Sequence, residues 1–307
     1  MSSLSEHKLV AIGGGTGLPL VLRSACSLGI HPAAVVTMAD DGGSSGRLRR
    51  ELGMVPPGDV RKCVTALAAP EKRRLASLMA YRFSEGEGIA GHALGNLMLV
   101  ACADIEGSFE QALKCLEEML NAQGRVLPST FDAVTLHGFD RGGEEIYGQV
   151  SLTHNPVAIA DVKLSPEDPR ANPEAVEAIT DADTIIICPG SLFTSIIPNL
   201  LVPGILGAIQ QSSARVLFCC NVANMEGETA AFTPLDYVAA LEYHGLFGRI
   251  GAILLPESMS GTGEEEALRE RGIHVRVAEL SSAEDPYRHD RDALARELHA
   301  LLTESES

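Results

Sequence analysis

The sequence predicts an α/β protein, a Rossmann-like, doubly wound and mostly parallel sheet that carries a helical insertion. Three observations point there. Short apolar, β-branched runs alternate with helical periodicities. Glycine-rich turns follow several of those runs. The stretch between about Val60 and Gln123 shows helical spacing without strand signals.

The first strand is expected over Lys8 to Ile12 and ends in Gly13-Gly14-Gly15-Thr16-Gly17, after which Leu18, Leu20, Val21, Leu22 and Ala25 mark a helix. A second strand is expected over Ala33 to Met38, apolar throughout, as suits a parallel sheet covered on both faces. A loop from Asp40 to Gly46 follows it. In the helical insertion, Leu75, Leu78 and Met79 and then Leu94, Leu97, Met98 and Ala101 recur at spacings of three and four. Strand signals return over Ala133 to Leu136 and near Val157 to Val162, with Gly142-Gly143 at a turn. From there strands (Thr184 to Cys188, Val216 to Cys220, Ile250 to Leu254, His274 to Val277) alternate with helices (Ile205 to Gln211, Leu235 to Tyr243, Glu264 to Arg271, Arg291 to Leu302). The tail from Thr303 to Ser307 is expected to be disordered.

Composition narrows the function. At 307 residues and 45% hydrophobic the chain is long enough to bury a full core, so disorder is not the default. A formal charge of −17 argues against general binding of nucleic acid or acidic membrane, because phosphate-backbone affinity needs clustered Lys and Arg. Any anion must therefore be held locally. The longest apolar run, Leu97 to Ala103, is far short of the ~20 residues of a membrane span. The start, Met1 to Lys8, lacks a secretory signal, so a cytoplasmic location is expected. The seven cysteines show no CxxC spacing, and Cys26, Cys102, Cys188, Cys219 and Cys220 sit among apolar neighbours as reduced, buried groups do. The scattered histidines form no zinc pattern.

Several loops carry chemistry. Gly13 to Gly17 joins a strand to a helix, where glycine lets the backbone approach a ligand and N–H groups at the helix start face an anion. The dinucleotide fingerprint is incomplete, since Leu18 stands at its third glycine position. The second loop gathers Asp40, Asp41, Gly43, Ser44, Ser45 and Arg47, so the carboxylates could hold Mg²⁺ or a sugar hydroxyl while the Gly-Ser run offers donors to phosphate. Capping of the next helix would also explain it. Asp59 and Arg61 follow Pro57-Gly58, where Asp59 suits an N-cap equally well. His92 and Asn96 lie one turn apart at a helix start, although a single His is more often structural. Pro189, Gly190, Ser191 and Ser195 form a second anion cradle after a buried strand, and Asn221, Glu228 and Thr229 follow another. Loops at strand C-termini converge on one crevice in an open α/β sheet. No base can be assigned to Ser44, Ser191 or Ser195 as nucleophile.

Taken in order, Gly13 to Leu18, Asp40 to Arg49, Pro57 to Arg61, Gly91 to Asn96 and Pro189 to Pro198 resemble the YvcK branch of the CofD-like family, over about Lys8 to Asp290. The resemblance implies one domain over 1–307, with a Rossmann-like core (8–60 and 125–302) and a helical insertion (60–125). It also implies oligomerisation and a nucleotide site built from these loops. CofD enzymes are 2-phospho-L-lactate transferases that use Mg²⁺, and their second loop has an Asp pair without the Gly-Gly-Ser-Ser-Gly found here. The YvcK branch, the gluconeogenesis factors, resembles UDP-sugar-binding proteins needed for cell shape and wall integrity on gluconeogenic carbon sources, with no catalytic activity implied. A nucleotide-sugar-binding regulator with no required cofactor is therefore the first expectation. Asp40 and Asp41 would be metal ligands only in the alternative, a Mg²⁺-dependent transferase, and an NAD(P)-binding module comes third. The choice of protein partner stays open.

Overall fold

The computed structural model describes residues 4–261 and 263–304. Residues 305–307 of the expected tail lie outside that range, whereas Thr303 ends the last helix. The chain begins with β1 (Leu9–Gly13), α1 (Gly17–Ser27) and β2 (Ala33–Val36), followed by five helices: α2 (Gly43–Leu52), α3 (Gly58–Ala66), α4 (Arg73–Ala80), α5 (Leu94–Glu106) and α6 (Phe109–Met119). After β3 (Arg125–Pro128) comes an excursion of β4 (Thr135–Asp140), β5 (Glu145–Tyr147), α7 (Gln149–Thr153) and β6 (Ile159–Ser165). The second half runs α8 (Pro173–Thr180), β7 (Thr184–Ile187), α9 (Ile197–Leu200), α10 (Pro203–Gln211), β8 (Arg215–Cys219) and α11 (Pro234–Leu241). It closes with β9 (Ile250–Pro256), α12 (Glu264–Glu270), β10 (His274–Ala278) and α13 (Arg291–Thr303).

Seven strands form one sheet in the order β10-β9-β8-β7-β1-β2-β3. Every neighbouring pair in it is parallel. The expected doubly wound sheet is thus present. Its central strands are continuous apolar runs because helices cover both faces: all of Leu9–Gly13 and all of Thr184–Ile187 are buried. Each fully buried Ile of β7 contributes roughly 1.5–3 kcal/mol. The chain winds from β1 through β2 to β3 in one direction, then restarts at β7 and winds the other way. The reversal between β1 and β7 opens a crevice at their C-terminal ends. The excursion strands make a separate antiparallel sheet, β5-β4-β6.

Several elements differ from expectation, among them helices α7 and α8, for which none was expected. Residues Asp40 to Gly46 are not all loop, for α2 starts at Gly43 and places Ser44 and Ser45 in its first turn. Strand β3 is a four-residue sheet edge, where Arg125 faces solvent and Pro128 is tolerated, too short for its apolar Val126 and Leu127 to stand out. Its start is instead fixed by Glu117, which accepts hydrogen bonds from the Val126 N–H (2.6 Å) and Arg125 Nε (3.2 Å).

Two long-range contacts close the crevice. Gly17, the first residue of α1, sits so near the loop after β7 that a Cβ there would lie 1.8 Å from the Pro189 carbonyl oxygen. His289, just before α13, donates from Nε2 to the Cys220 carbonyl at the end of β8 (2.9 Å). Burial pushes its imidazole from 6.5 down to about 4, so it is neutral in the fold.

Gly17→Ala is expected to destabilise the protein by about 1–3 kcal/mol, the usual cost of overpacking a rigid contact, read as a lower denaturant midpoint. An unchanged midpoint would show that the two loops yield easily. His289 also sets a pH dependence. The unfolded chain takes up a proton near 6.5 and the folded chain only near 4, so stability is lost as pH falls between these values. His289→Gln keeps an N–H donor for the Cys220 carbonyl and is expected to show a shallower loss of melting temperature across that window.

Candidate functional site

The crevice is a cavity of about 910 Å³. The turn after β1 supplies one wall (Gly15, Thr16 and Gly17), and α3 supplies Arg61 and Lys62. Opposite lie Pro189, Gly190, Ser191, Thr194 and Ser195 from the segment after β7, with Asn221 to Met225 after β8. Gln149 and Thr153 of α7 form a third side, and Asp285, Tyr287, Arg288 and His289 form the rim.

The glycine turn is shaped by neighbours that leave no room for side chains. Gly15 has φ +64°. A Cβ on Gly14 would come within 2.8 Å of the Thr37 methyl. Gly13 itself ends β1, and its carbonyl accepts from the buried Asn199 Nδ2 (3.2 Å). Two amides expected to face phosphate have partners within the protein. The Gly15 N–H donates to Asp59 Oδ2 (2.7 Å), and the Gly190 N–H donates to Asn221 Oδ1 (2.7 Å). Asn221 completes the clamp by donating from Nδ2 to the Gly190 carbonyl (2.9 Å). What remains for an anion is the start of α1, whose preceding Thr16 makes no side-chain cap. The helix dipole and first-turn N–H groups there favour negative charge.

Cations cluster beside that helix start. Lys62 Nζ pairs with Asp59 Oδ1 (2.8 Å), which also ties α3 to the glycine turn. Arg61 is aimed by a buried polar chain. Its Nε donates to Asn96 Oδ1 (2.9 Å), Asn96 Nδ2 donates to Ser44 Oγ (2.9 Å), and Ser44 contacts His92 Nδ1 (2.8 Å). A guanidinium can only donate, so the Asn96 amide orientation is determined. The direction of the Ser44–His92 contact follows the imidazole tautomer. Burial first, then the Arg47 charge, lowers the pKa of His92 and keeps it neutral. Ser44, His92 and Asn96 do not line the cavity; they hold Arg61, which does.

A second chain runs along the opposite wall. Ser191 Oγ donates to Glu228 Oε1 (2.6 Å) and accepts from the Thr194 N–H (3.1 Å). The Thr194 hydroxyl makes a short contact with the same Ser191 oxygen and receives Gln149 Nε2 (3.3 Å). The Ser191 hydroxyl is thereby saturated, with its proton and both lone pairs engaged. Glu228 also accepts from the Phe193 N–H (2.8 Å), so it caps the π-helical turn Leu192–Ile196. Burial pushes its carboxyl above the usual range, and its Oε2 has no partner. Thr229 Oγ1 accepts from the Met225 N–H (3.0 Å) and donates to the Tyr237 hydroxyl oxygen (2.9 Å), whose own proton goes to Asn224 Oδ1 (2.9 Å), shaping the turn behind the cavity.

The carboxylate pair is divided between tasks. Asp41 accepts the N–H groups of Gln149 and Val150, one on each oxygen and both at 3.0 Å, and so caps α7. Asp40 accepts the Gly42 N–H (3.0 Å), and its pKa is raised by burial and by the nearby Asp59 charge. Neither lines the cavity. As a pair, Asp40 and Asp41 do not fit a shared Mg²⁺ site, since Asp41 has both oxygens committed to a helix start. Among the described residues no group of three His, Cys, Asp or Glu side chains is placed to hold a metal. All seven cysteines are free.

Of the residues singled out from sequence, Gly15, Thr16, Gly17, Arg61, Pro189, Gly190, Ser191, Ser195 and Asn221 line the cavity. Gly13, Gly14, Asp40, Asp41, Gly43, Ser44, Ser45, Asp59, His92, Asn96, Glu228 and Thr229 stand behind it. Gly43 turns the chain into α2 at φ +47°. Sequence reasoning missed Arg23, Thr65, Ala80, Gln149, Thr153 and the rim from Asp285 to His289. Asp-Pro-Tyr-Arg-His is a compact turn-forming cluster before a helix and was readable as such. Gln149 carried no signal. Among the described residues no single helix is long and apolar enough to cross a membrane.

Comparison with known proteins agrees with the fold. The profile of the family described as 2-phospho-L-lactate transferase CofD matches residues 9–304. The gluconeogenesis factor of Halalkalibacterium halodurans is 42% identical over 277 residues, covering 90% of this chain and 86% of the relative. The gluconeogenesis factor of Bacillus subtilis is 38% identical, covering 97% of this chain and 99% of the relative. A crystal structure of a Bacillus halodurans protein superposes with a TM-score of 0.87 at 38% identity, covering 95% of this chain and 99% of that one. The parallel sheet, the five linked loop motifs and these matches together show that the chain belongs to the CofD family and is similar to its gluconeogenesis factors.

Proposed function

We propose that the cavity binds a nucleotide-sugar, a UDP-sugar first, and that the protein works in the cytoplasm as a ligand-responsive regulator of cell-wall integrity and cell shape on gluconeogenic carbon sources. The observation that carries the reading is local charge. In a chain of net charge −17, the start of α1, Arg23 and Arg61 meet at one cavity, beside Lys62 and Arg288, which pair with Asp59 and Asp285. A diphosphate suits that cluster, and the remaining length of a 910 Å³ cavity suits a nucleoside at one end and a sugar at the other. The name shared by the relatives, gluconeogenesis factor, supports the physiological setting. Oligomerisation, and a protein partner that senses the loaded state, belong to the same reading.

The saturated Ser191 hydroxyl favours binding over covalent catalysis, since a nucleophile needs a lone pair aimed at its target. A second reading, a Mg²⁺-dependent transferase, has the family profile in its favour. The two differ in their need for metal. Calorimetric titration is expected to show UDP-glucose binding more tightly than NAD, with an affinity that excess EDTA leaves unchanged. Loss of binding in EDTA with recovery in Mg²⁺ would put the transferase first, and tighter NAD binding would restore the dinucleotide reading.

Arg61→Lys keeps a positive charge but loses the bond to Asn96 and the forked geometry. It is expected to weaken UDP-glucose binding by about 1.5–3 kcal/mol, the worth of a charge-assisted hydrogen bond. Equal affinity in the variant would remove Arg61 from the ligand contacts.

A further inference from the structure

We infer that Gln149 is a specificity-determining residue whose side-chain oxygen accepts a hydrogen bond from a hydroxyl or N–H group of the ligand, outside its diphosphate. The inference rests on the nucleotide-sugar reading of the cavity and deepens it. Gln149 Nε2 has two hydrogens, and both are engaged: one to Thr153 Oγ1 (3.0 Å), the other to Thr194 Oγ1 (3.3 Å). The amide cannot be turned round. Thr153 Oγ1 gives its own proton to the Gln149 backbone carbonyl (2.9 Å). Thr194 Oγ1 gives its proton to Ser191 Oγ, because the Ser191 proton is held by Glu228. Both threonine oxygens therefore present lone pairs to the amide, and only the NH₂ group can face them.

Oε1 is left as the unengaged atom. Among the described residues it has no hydrogen-bond partner, it lies on the side of Gly42, 3.9 Å from where a Cβ there would stand, and Gln149 lines the cavity. Asp41 fixes the backbone that carries it by accepting the Gln149 and Val150 N–H groups. An oriented acceptor of this kind repels phosphate oxygens and rewards a donor. Nucleotide-sugars offer such donors from the sugar hydroxyls and from the nucleoside, through ribose hydroxyls or a base N–H. The rigid chain from Glu228 to Gln149 makes the discrimination steep, because a ligand with no donor there leaves a desolvated acceptor unpaired.

The test compares wild type and Gln149→Met, a side chain of similar length that cannot accept, by titration with UDP-glucose, UDP and pyrophosphate. Gln149→Ala serves if the Met variant does not fold, as judged by its unfolding curve. If Gln149 meets the sugar, affinity for UDP-glucose falls about 3- to 10-fold while UDP and pyrophosphate are unaffected. If it meets the nucleoside, UDP-glucose and UDP fall together and pyrophosphate alone is unaffected. Either result supports the inference. Unchanged affinity for all three overturns it, and so does an equal fall in all three, which marks a purely structural role. If wild type binds none of the three, the nucleotide-sugar reading itself fails and takes this inference with it.

Discussion

The closeness of the turn after β1 to the loop after β7 is the constraint on which the site depends. Gly17 lies against the Pro189 carbonyl where no Cβ would fit. That contact brings two loops from opposite windings of the sheet to one place. The same contact fixes the start of α1, and with it the direction of the dipole that the cavity uses. Asn221 then holds Gly190 from the side through two hydrogen bonds, so a third loop is brought into register with the first two. The crevice is a consequence of strand order, but its width is set by glycine.

Much of the polar chemistry around the cavity is structural, and it governs what is left for a ligand. Asp59 draws the Gly15 amide and Lys62 inward, Asp41 caps α7, and Glu228 caps the turn after Ser191. An acidic protein thereby spends its carboxylates on backbone N–H groups near the site. Arg23, Arg61 and one helix start keep their reach, while Lys62 and Arg288 are held by Asp59 and Asp285. The two side-chain chains have a common logic: each begins at a residue of one possible polarity, Arg61 or Glu228, and propagates that polarity to a group facing the cavity or supporting it. Asn96, Ser44 and His92 hold the orientation of a donor, whereas Ser191, Thr194 and Gln149 hold the orientation of an acceptor.

The sheet was legible in the sequence because its central strands are buried on both faces. Ile185 to Ile187 and Val10 to Ile12 can be little else. Edge strand β3 was not legible, since it is four residues long and held by Glu117 from another element. The glycine loops announced the crevice, but their amides proved less available than local pattern suggests, because Asp59 and Asn221 approach from 44 and 31 residues away. His92 and Asn96 were legible as neighbours, but not on one helix face, because α5 starts at Leu94 and His92 precedes it. Their partner Ser44 could not be paired with them, because that contact depends on where α2 and α5 meet. Gln149 was invisible for the same reason: its importance lies in which hydrogens are already taken.

Amide hydrogen exchange, with and without saturating UDP-glucose, tests the central claim most directly, because it locates the ligand without presuming any residue's role. Occupation of the cavity should slow exchange at Gly15 to Leu20, Ser191 to Thr194 and Asn221 to Met225, and leave the outer helices α6 and α12 unchanged. Binding that protects other segments and leaves these three untouched would contradict the account.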